Sequence, residues 1–413
     1  MTEVSRHSSQ APRGQGGFVR LIRKPLLKRF QQVLDGFDVG ALEMRWPDGS
    51  VTTHGQGDHP VTVTLHNFKP ISSLFFGGRV GFAQSYIDGD WSTSDIYRLF
   101  DMIVRNEASI QSDISGGVTK RLVNLVQHAF NRNSKKGSKR NIAFHYDLGN
   151  DFYRLWLDED LTYSSAVFAE ESETLEQAQL NKVHKVGELI SPSAGDNVLE
   201  IGCGWGFLGR QLSQAHDCRV HGISLSQEQL DHCAQTNQDP DKNTYEYIDY
   251  RDVNGQYDHI VSIEMFEAVG MAYWETYFKR LAGLLKQGGT AAIQIITIRE
   301  DRFDDYVKSP DFIQRFIFPG GMLPTPTIVE RLIRQAGLET TSVEWFGSSY
   351  ARTLSAWRAN FESQLTEVRA QGFDERFIRM WRYYLAYCEA GFALGRTNVG
   401  LFQINHATTK ALT

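Results

Sequence analysis

The sequence predicts an α/β protein with a mostly parallel sheet, preceded by a small α+β domain. From about residue 141 onward, apolar strand-like segments alternate with helical segments, which is typical of a parallel sheet covered by helices. One of these strands runs directly into a glycine-rich loop and a further helix, VLEIGCGWGFLGRQL. At 413 residues the chain is long enough for two domains.

The chain is predicted to divide into four segments. Residues 1–17 have no apolar core and no cleavage signature, so we expect a disordered lead-in. Residues 18–107 carry the mixed patterns of a small α+β domain. Residues 108–140 are polar and end in a basic run, which favours a basic linker with one amphipathic helix. Residues 141–413 then form the α/β domain.

Alternation and turn residues define the elements of both domains. In the first, ALEMRWPDGSVTTHG and VTVTLHN read as strands around the turn Pro47-Asp48-Gly49, and FFGG reads as a turn before two helices. The second of those helices is expected to be capped near Ser94. In the α/β domain the predicted strands are NVLEIGC, RVHGISL, YEYIDY, HIVSIEM and TAAIQIITI, with helices such as ETLEQAQLNKVHKVGELI and WETYFKRLAGLLKQ between them.

Composition and charge exclude several classes of protein. The net charge of -6 argues against a general nucleic-acid binder. No apolar stretch approaches the roughly 18–20 residues that a membrane-spanning helix needs. The four cysteines form no CxxC pair and have no histidine partners at zinc spacing, so we expect reduced thiols in a cytosolic protein and no metal site.

The first predicted helix, FVRLIRKPLLKRFQQVL, is cationic and amphipathic. Two interpretations remain open, and both can hold at once. The helix packs on its own domain with a solvated basic face, or the basic face contacts anionic lipid headgroups, where each Lys or Arg contributes about 1 kcal/mol. The basic side chains are Arg20, Arg23, Lys24, Lys28 and Arg29.

The glycine loop is the strongest local motif. A short apolar strand, residues 198–201, leads into Gly202, Gly204 and Gly206, and glycines are needed where a ligand lies against unusual backbone angles. Dinucleotide-binding folds use a similar turn. Here Glu200 precedes the loop, and a carboxylate suits the positive ammonium group of S-adenosylmethionine better than a phosphate. The motif therefore favours a Rossmann-like fold that binds S-adenosylmethionine.

The next two strand ends supply further candidate cofactor ligands. A Rossmann site usually has an acid at the end of the second strand to hold the ribose hydroxyls. This chain has Ser224 and Gln229 there, which predicts neutral hydrogen bonds to the ribose. In the third strand region, Asp249 is a candidate acceptor for the adenine amino group, and Tyr250 is a candidate for stacking on the ring.

Seven motifs in order carry a family resemblance from about residue 141 to the end. They resemble cyclopropane-fatty-acyl-phospholipid synthases and the related mycolic acid methyltransferases, and the N-terminal region resembles the lipid-handling domain of the bacterial phospholipid enzymes. The resemblance implies a class I methyltransferase domain that acts on the double bond of an unsaturated phospholipid acyl chain. The motifs are HYDLGNDFYRLWLDEDLTYSSAVF, VLEIGCGWG, GISLSQEQ, DYRDV, IEMFEAVG, FIFPGGMLP and SSYARTLSAW.

The resemblance also implies residue roles. The family holds a bicarbonate ion beside the methyl group; Glu267 and Tyr350 match two of its ligands, whereas Ser165 and Gln294 stand where the family has Cys and His. Serine suits a backbone contact, and glutamine donates a hydrogen bond but cannot be charged. The implied cofactor contacts are Tyr163, Ser164, Gly202, Gly204, Ser224, Leu225 and Gln229.

The implied reaction sets the remaining expectations. Attack of an alkene on a sulfonium methyl leaves a carbocation, so the site needs alignment, exclusion of water and a base. Bicarbonate is that base by resemblance, and Glu267 would hold it with a raised pKa in an apolar site. Aromatic residues either line the acyl tunnel or belong to the core; they are Phe144, Tyr146, Phe168, Phe266, Phe312 and Phe316.

Several products and partners stay open at this point. Proton loss from the new methyl gives a cyclopropane, the predicted product, and loss from a neighbouring chain carbon gives a methyl-branched alkene. A soluble small-molecule methyltransferase and a non-catalytic lipid-binding protein compete with both. We expect an anionic membrane surface and unsaturated phospholipids as partners, no nucleic acid, and peripheral attachment to the inner face of the membrane. A homodimer is compatible with the sequence.

Overall fold

A computed structural model describes residues 16–107 and 148–408. The chain divides into two compact units, Met1–Asp95 with Arg105–Gly117 and Ile96–Val104 with Val118–Thr413. The predicted linker helix and nearly all of the predicted lead-in lie outside the described residues, so the segment boundaries stay a prediction.

The first unit contains a four-stranded mixed sheet. β1 (Gly40–Arg45) lies between β2 (Val51–Gln56), which is antiparallel to it, and β3 (Val61–Leu65), which is parallel. β4 (Trp91–Thr93) completes the sheet antiparallel to β3. The alternating segments thus form the predicted strands. β4 falls where a loop is predicted, since three residues are too few to show alternation.

Three helices accompany this sheet in the sequence. They are α1 (Gly16–Asp35), α2 (Lys69–Ile87) and α3 (Ile96–Arg105). α2 starts well before the predicted glycine turn and is instead broken within its length at Gly78, whose φ of 62° is left-handed. Glycine adopts such an angle without the steric cost that a Cβ imposes, so the sequence marks a kink rather than a helix start.

The helix α1 packs by its apolar face. Phe30, Val33 and Leu34 are buried, whereas Lys24 and Lys28 are exposed. Burying a large apolar side chain contributes about 1.5–3 kcal/mol, which fixes the end of α1 to its unit. The prediction of a packed helix with a solvated basic face is confirmed for these residues.

The second unit is built on a seven-stranded sheet, in the order β10-β11-β9-β8-β5-β6-β7. Five strands are parallel, and β11 runs antiparallel between β9 and β10. The predicted strands all form. Two further strands, β10 and β11, are not among them; β10 is polar and half of its residues are exposed, whereas β11 is largely buried. The strands are β5 (Asn197–Ile201), β6 (Arg219–Ser224), β7 (Asn243–Tyr247), β8 (Tyr257–Ile263), β9 (Leu285–Ile298), β10 (Leu338–Trp345) and β11 (Thr397–His406).

Helices connect these strands, which confirms the predicted α/β class. They are α4 (Asn150–Arg154), α5 (Leu175–Ile190), α6 (Phe207–His216), α7 (Gln227–Thr236), α8 (Phe266–Val269), α9 (Trp274–Leu284), α10 (Glu300–Lys308), α11 (Pro326–Gln335), α12 (Gly347–Ser363), α13 (Leu365–Ala370) and α14 (Glu375–Ala393), with a 3-10 turn at Met271–Tyr273 and a π-helical turn at Ile313–Ile317. In the described part of the chain, no helix has the length and apolarity needed to cross a bilayer.

Aromatic side chains hold the segment that precedes α5 against α12 and α14. Trp156 is fully buried between Trp357 of α12 and Trp381 of α14, with ring centroids 5.5 and 5.6 Å away. Tyr163 packs on the same cluster, 5.4 Å from both Trp156 and Trp357. Edge-to-face pairs at these distances stabilise by about 0.5–1.5 kcal/mol beyond area burial. The residues that follow Tyr163 are therefore fixed at the end of the sheet.

Candidate active site

A cavity opens where β5, β6 and β8 end, at the carboxyl edge of the parallel strands. This edge is where open α/β sheets bind ligands. The cavity wall contains nine of the ten predicted cofactor residues, together with Lys182 and Glu264, which the motifs do not assign. The nine are Tyr163, Ser164, Glu200, Gly202, Gly204, Ser224, Leu225, Gln229 and Tyr250.

The glycine loop leaves room for a ligand. Gly202 and Gly204 have φ angles of 84° and 53°. A Cβ on Gly202 would lie 3.0 Å from the Met265 side chain, whereas a Cβ on Gly204 would meet no atom within 4 Å. The space beside Gly204 belongs to the cavity, so this loop fits a cofactor that lies directly on the backbone.

Glu200 and Lys182 are two buried ionisable groups in the cavity wall. Both are nearly inaccessible, and burial raises the pKa of Glu200 to about 8 and lowers the pKa of Lys182 to about 8. Lys182 Nζ donates a hydrogen bond to Ser164 Oγ (2.7 Å). Because a charge buried without partners is costly, burial moves both groups toward their neutral forms.

Neutral groups stand where the ribose is expected. Ser224 Oγ donates to Gln229 Oε1 (2.8 Å), and both side chains are buried in the cavity wall. Neutral hydrogen bonding of these two side chains to a ribose stays a prediction.

Asp249 is the one predicted cofactor residue that the structure keeps away from the cavity. Its carboxylate accepts from Arg251 Nε (2.7 Å) and from the terminal Nη2 of the same side chain (2.6 Å). The guanidinium two residues along the chain thus uses both oxygens, which corrects the expectation that Asp249 faces adenine. Its neighbours Ile248 and Tyr250 line the cavity instead.

The second cluster in the cavity wall surrounds Glu264, just past the end of β8. Glu264 Oε1 accepts from the backbone nitrogen of Ser165 (2.9 Å) and from Gln294 Nε2 (2.7 Å). Glu264 Oε2 accepts from Tyr350 Oη (2.6 Å). Three of the four residues predicted to hold an anion therefore converge, and they converge on a carboxylate of the chain itself.

Glu267, the fourth predicted anion ligand, makes no hydrogen bond to Glu264 among the described residues. Its Oε1 accepts from the backbone nitrogen of Ile296, and its Oε2 has no hydrogen-bond partner among the described residues. Burial raises the pKa of Glu267 to about 8, and the neighbouring Glu264 carboxylate acts in the same direction, toward the neutral form. The raised pKa agrees with the prediction, whereas the role of Glu267 as an anion ligand stays a prediction.

The residues around Glu264 do not fit a bound bicarbonate. The donors expected for that ion are the Ser165 backbone, Gln294 and Tyr350, and all three already donate to Glu264. A second anion at these donors would lie against the Glu264 carboxylate and be repelled by it. The sequence signal for Glu264 is present in IEMFEAVG, three residues before the glutamate that the resemblance selects.

The candidate tunnel aromatics separate into different environments. Phe266 is fully buried, with its ring 5.7 Å from Trp274 and 5.2 Å from Phe278, so it belongs to the core beneath the sheet. Phe312 stacks near Phe316 (5.2 Å). Phe168 lies under the Arg352 guanidinium (3.9 Å). Phe144 and Tyr146 lie outside the described residues.

This sheet and site define a class I S-adenosylmethionine-dependent methyltransferase. The family model described as "Mycolic acid cyclopropane synthetase" matches residues 133–404, and the chain belongs to that family. The family assignment covers the sheet, the cavity and the Glu264 cluster.

Two relatives match over most of their length. The tuberculostearic acid methyltransferase UfaA1 of Mycobacterium tuberculosis is 35% identical over 87% of this chain and 86% of its own. The cyclopropane-fatty-acyl-phospholipid synthase of Escherichia coli K12 is 32% identical over 81% and 85%. Both matches are too long for the α/β domain alone, so they extend into the N-terminal region.

A solved structure agrees in fold. The mycolic acid cyclopropane synthase CmaA1, complexed with SAH and CTAB, superposes with a TM-score of 0.61 at 28% identity, covering 64% of this chain and 97% of its own. The predicted class I methyltransferase fold is confirmed.

We expect Gly204→Val to weaken binding of S-adenosylhomocysteine by roughly 10- to 100-fold. A branched side chain would fill the cofactor space and cost about 1–3 kcal/mol of binding free energy. Isothermal titration calorimetry measures this affinity. Gly195→Val is the matched control: Gly195 has a similar positive φ of 84° and an open surrounding, but it lies outside the cavity wall. Equal affinity in the two variants would contradict the placement of the cofactor beside Gly204.

Proposed function

We propose that the protein transfers a methyl or methylene group from S-adenosylmethionine to the double bond of an unsaturated acyl chain in a membrane phospholipid. The observation that carries this proposal is that one cavity holds both a glycine loop suited to the cofactor and a hydrogen-bonded carboxylate, Glu264. The family membership and the lipid-modifying names of the relatives support the same class of substrate.

The wall of this cavity suits the chemistry of an alkene. The π bond is a weak nucleophile, so the protein must align it with the sulfonium methyl and keep water from the carbocation. We assign the cofactor to Tyr163, Ser164, Gly202, Gly204, Ser224, Leu225, Gln229 and Tyr250, with Glu200 beneath the loop. S-adenosylmethionine supplies the electrophilic methyl group when it is bound.

The product depends on which hydrogen the carbocation loses. Loss from the transferred methyl gives a cyclopropane, which remains our first proposal and has a named precedent in the Escherichia coli relative. Loss from a neighbouring chain carbon gives a methyl-branched alkene. The second product is favoured by the replaced anion site and by the name of the Mycobacterium tuberculosis relative.

We expect lipids from Escherichia coli cells that lack their own cyclopropane synthase and express this chain to gain the mass of one CH₂ group per modified acyl chain. Mass spectrometry detects the gain, and olefin-specific derivatisation separates the products, because a cyclopropane has lost its double bond and a methyl-branched alkene has kept one. The Gly204→Val variant is the control. Unmodified lipids alongside a methylated soluble metabolite would contradict the proposal.

A membrane surface is the proposed source of the substrate. Lys24 and Lys28 of α1 are exposed while the apolar face of the helix is buried. Their ammonium groups can therefore contact anionic lipid headgroups. We propose peripheral attachment to the inner, cytoplasmic face of the membrane through this side of the N-terminal unit. Assembly into a homodimer stays a prediction.

The double variant Lys24→Glu with Lys28→Glu should bind anionic vesicles roughly 10- to 100-fold more weakly, since each lysine contributes about 1 kcal/mol. Binding by the native protein should fall as salt rises, because exposed charges are screened. Vesicle co-sedimentation measures both effects. The control is Lys279→Glu with Arg331→Glu, which changes the net charge equally at exposed positions of the second unit. Equal weakening by both pairs would show a net-charge effect and not a site on α1.

A further inference from the structure

The Glu264 carboxylate is held by hydrogen-bond donors, as a bound anion would be, and not by a salt bridge. It lines the cofactor cavity and receives three hydrogen bonds from three separate parts of the chain: the Ser165 backbone, Gln294 on β9 and Tyr350 on α12. No described Lys or Arg lies within salt-bridge distance of it; the nearest cationic influence is the buried Lys182. Hydrogen bonds to a carboxylate are stronger when it is ionised, so these three donors favour the ionised form of Glu264.

The backbone at Glu264 is strained in a way that positions this side chain. Its φ is 51°, one of four positive values among the described non-glycine residues. Its backbone nitrogen donates to Gln294 O (3.0 Å), so the main chain and the side chain are both tied to the same residue of β9. A left-handed backbone is unfavourable for a non-glycine residue, and such strain clusters at functional sites. Here it turns the carboxylate into the cavity wall at the end of β8.

We propose that Glu264 is the proton acceptor of the reaction, a carboxylate of the chain that takes the place of a diffusible bicarbonate. This inference rests on the proposed function. The alkene π pair forms a bond to the methyl carbon, and the C–S bond breaks with its electron pair remaining on sulfur. Glu264 then takes a proton from the carbocation, and the electrons of that C–H bond close either a C–C bond of a cyclopropane or a new C=C bond.

The charges around Glu264 suit a base. Burial raises the pKa of the Glu264 carboxyl above its ordinary value, while Tyr350, Ser165, Lys182 and Gln294 lower it, in that order. Burial also holds the pKa of Tyr350 well above its usual range, so its hydroxyl keeps the proton it donates. Glu267, the other acid beside Glu264, has a pKa of about 8 and is largely neutral at pH 7. Glu200, which lies at the glycine loop, also has a pKa raised to about 8, and what distinguishes Glu264 is its three hydrogen-bond donors.

Tyr350→Phe supplies a pH test with a defined sign. Turnover should rise with pH as Glu264 ionises, and loss of the donor that lowers its pKa most should move this acid limb to higher pH. Lys182, Glu200 and Glu267, each with a pKa of about 8, are present in both proteins, so the readout is the difference between the two profiles. The pH profile of kcat with unsaturated phosphatidylglycerol vesicles measures the shift. If the acid limb of the kcat profile stays at the same pH in Tyr350→Phe, it reports the ionisation of a group other than Glu264.

The decisive experiment compares the native protein, Glu264→Gln and Glu264→Gly in buffer stripped of carbon dioxide, with S-adenosylmethionine and the same vesicles. The native rate should not change when bicarbonate is added back. Glu264→Gln should lose about 100- to 10,000-fold in turnover, the usual contribution of a general base, while its S-adenosylhomocysteine affinity stays within about threefold. Glu264→Gly suits the positive φ and frees the three donors, so added bicarbonate should restore part of its turnover.

Each outcome separates the two levels of the proposal. A native protein that binds S-adenosylhomocysteine but modifies no vesicle lipid contradicts the proposed function. A native protein that modifies lipid only with added bicarbonate overturns the assignment of Glu264 alone, as does near-native turnover in Glu264→Gln or a Glu264→Gly variant that bicarbonate leaves inactive. Should Glu264→Gln fail to fold, the bicarbonate response of the native protein and of Glu264→Gly still decides.

Discussion

The hydrogen-bonded Glu264 carboxylate joins the parts of the second unit that must meet for a site to exist. It lies after β8, and its partners come from the segment before α5, from the middle of β9 and from the first turns of α12. No two of these pieces except β8 and β9 are neighbours in the sheet. Because an ionised carboxylate left without donors in this wall would be costly, the contacts fix these pieces in register with one another.

The buried charges near the cavity form a connected set of groups. The charges of Glu264, Asp158 and Glu200 raise the pKa of Lys182, which burial lowers. Burial raises the pKa of each of these three acids. Since every one of these groups disfavours its charged form on its own, their charge states depend on one another. In the proposed reaction, proton uptake by Glu264 would remove the strongest anionic influence on Lys182, so the ammonium form of Lys182 would become less favourable. The protonation states of Glu264 and Lys182 are therefore coupled, and this coupling needs no ion from solution.

The sequence predicts most residues of the cavity wall but not the contacts of Glu264, for different physical reasons. The loop at Gly202 and Gly204 follows from backbone geometry, which motifs record directly. The prediction for Asp249 is wrong because a pattern cannot show that Arg251, two residues away, folds back onto its carboxylate. Glu264 escapes the sequence prediction because its neighbour Glu267 matches the family pattern, and only the tertiary contacts show which carboxylate meets Tyr350.

The fold shows the same division. Strands with apolar alternation can be recognised from the local sequence. The break at Gly78 can be recognised as well, although that glycine predicts a turn before the helix and the structure has a kink within it. The edge strand β10 cannot be recognised in this way, because it is polar. It is held in the sheet by pairing with β11, more than fifty residues further along the chain. Long-range pairing of this kind depends on closure of the whole domain and has no signature within the strand itself.

A carboxylate built into the chain changes how such a site must work compared with a diffusible anion. An anchored base has already lost its translational freedom, so it needs no binding step and acts at a high effective concentration. It cannot, however, leave with the proton it has taken, and the site must return that proton before the next turnover. Burial that raises the basicity of Glu264 favours proton uptake but opposes its release. The donors Tyr350, Ser165 and Gln294 act in the opposite direction, because they stabilise the ionised form to which the carboxyl must return.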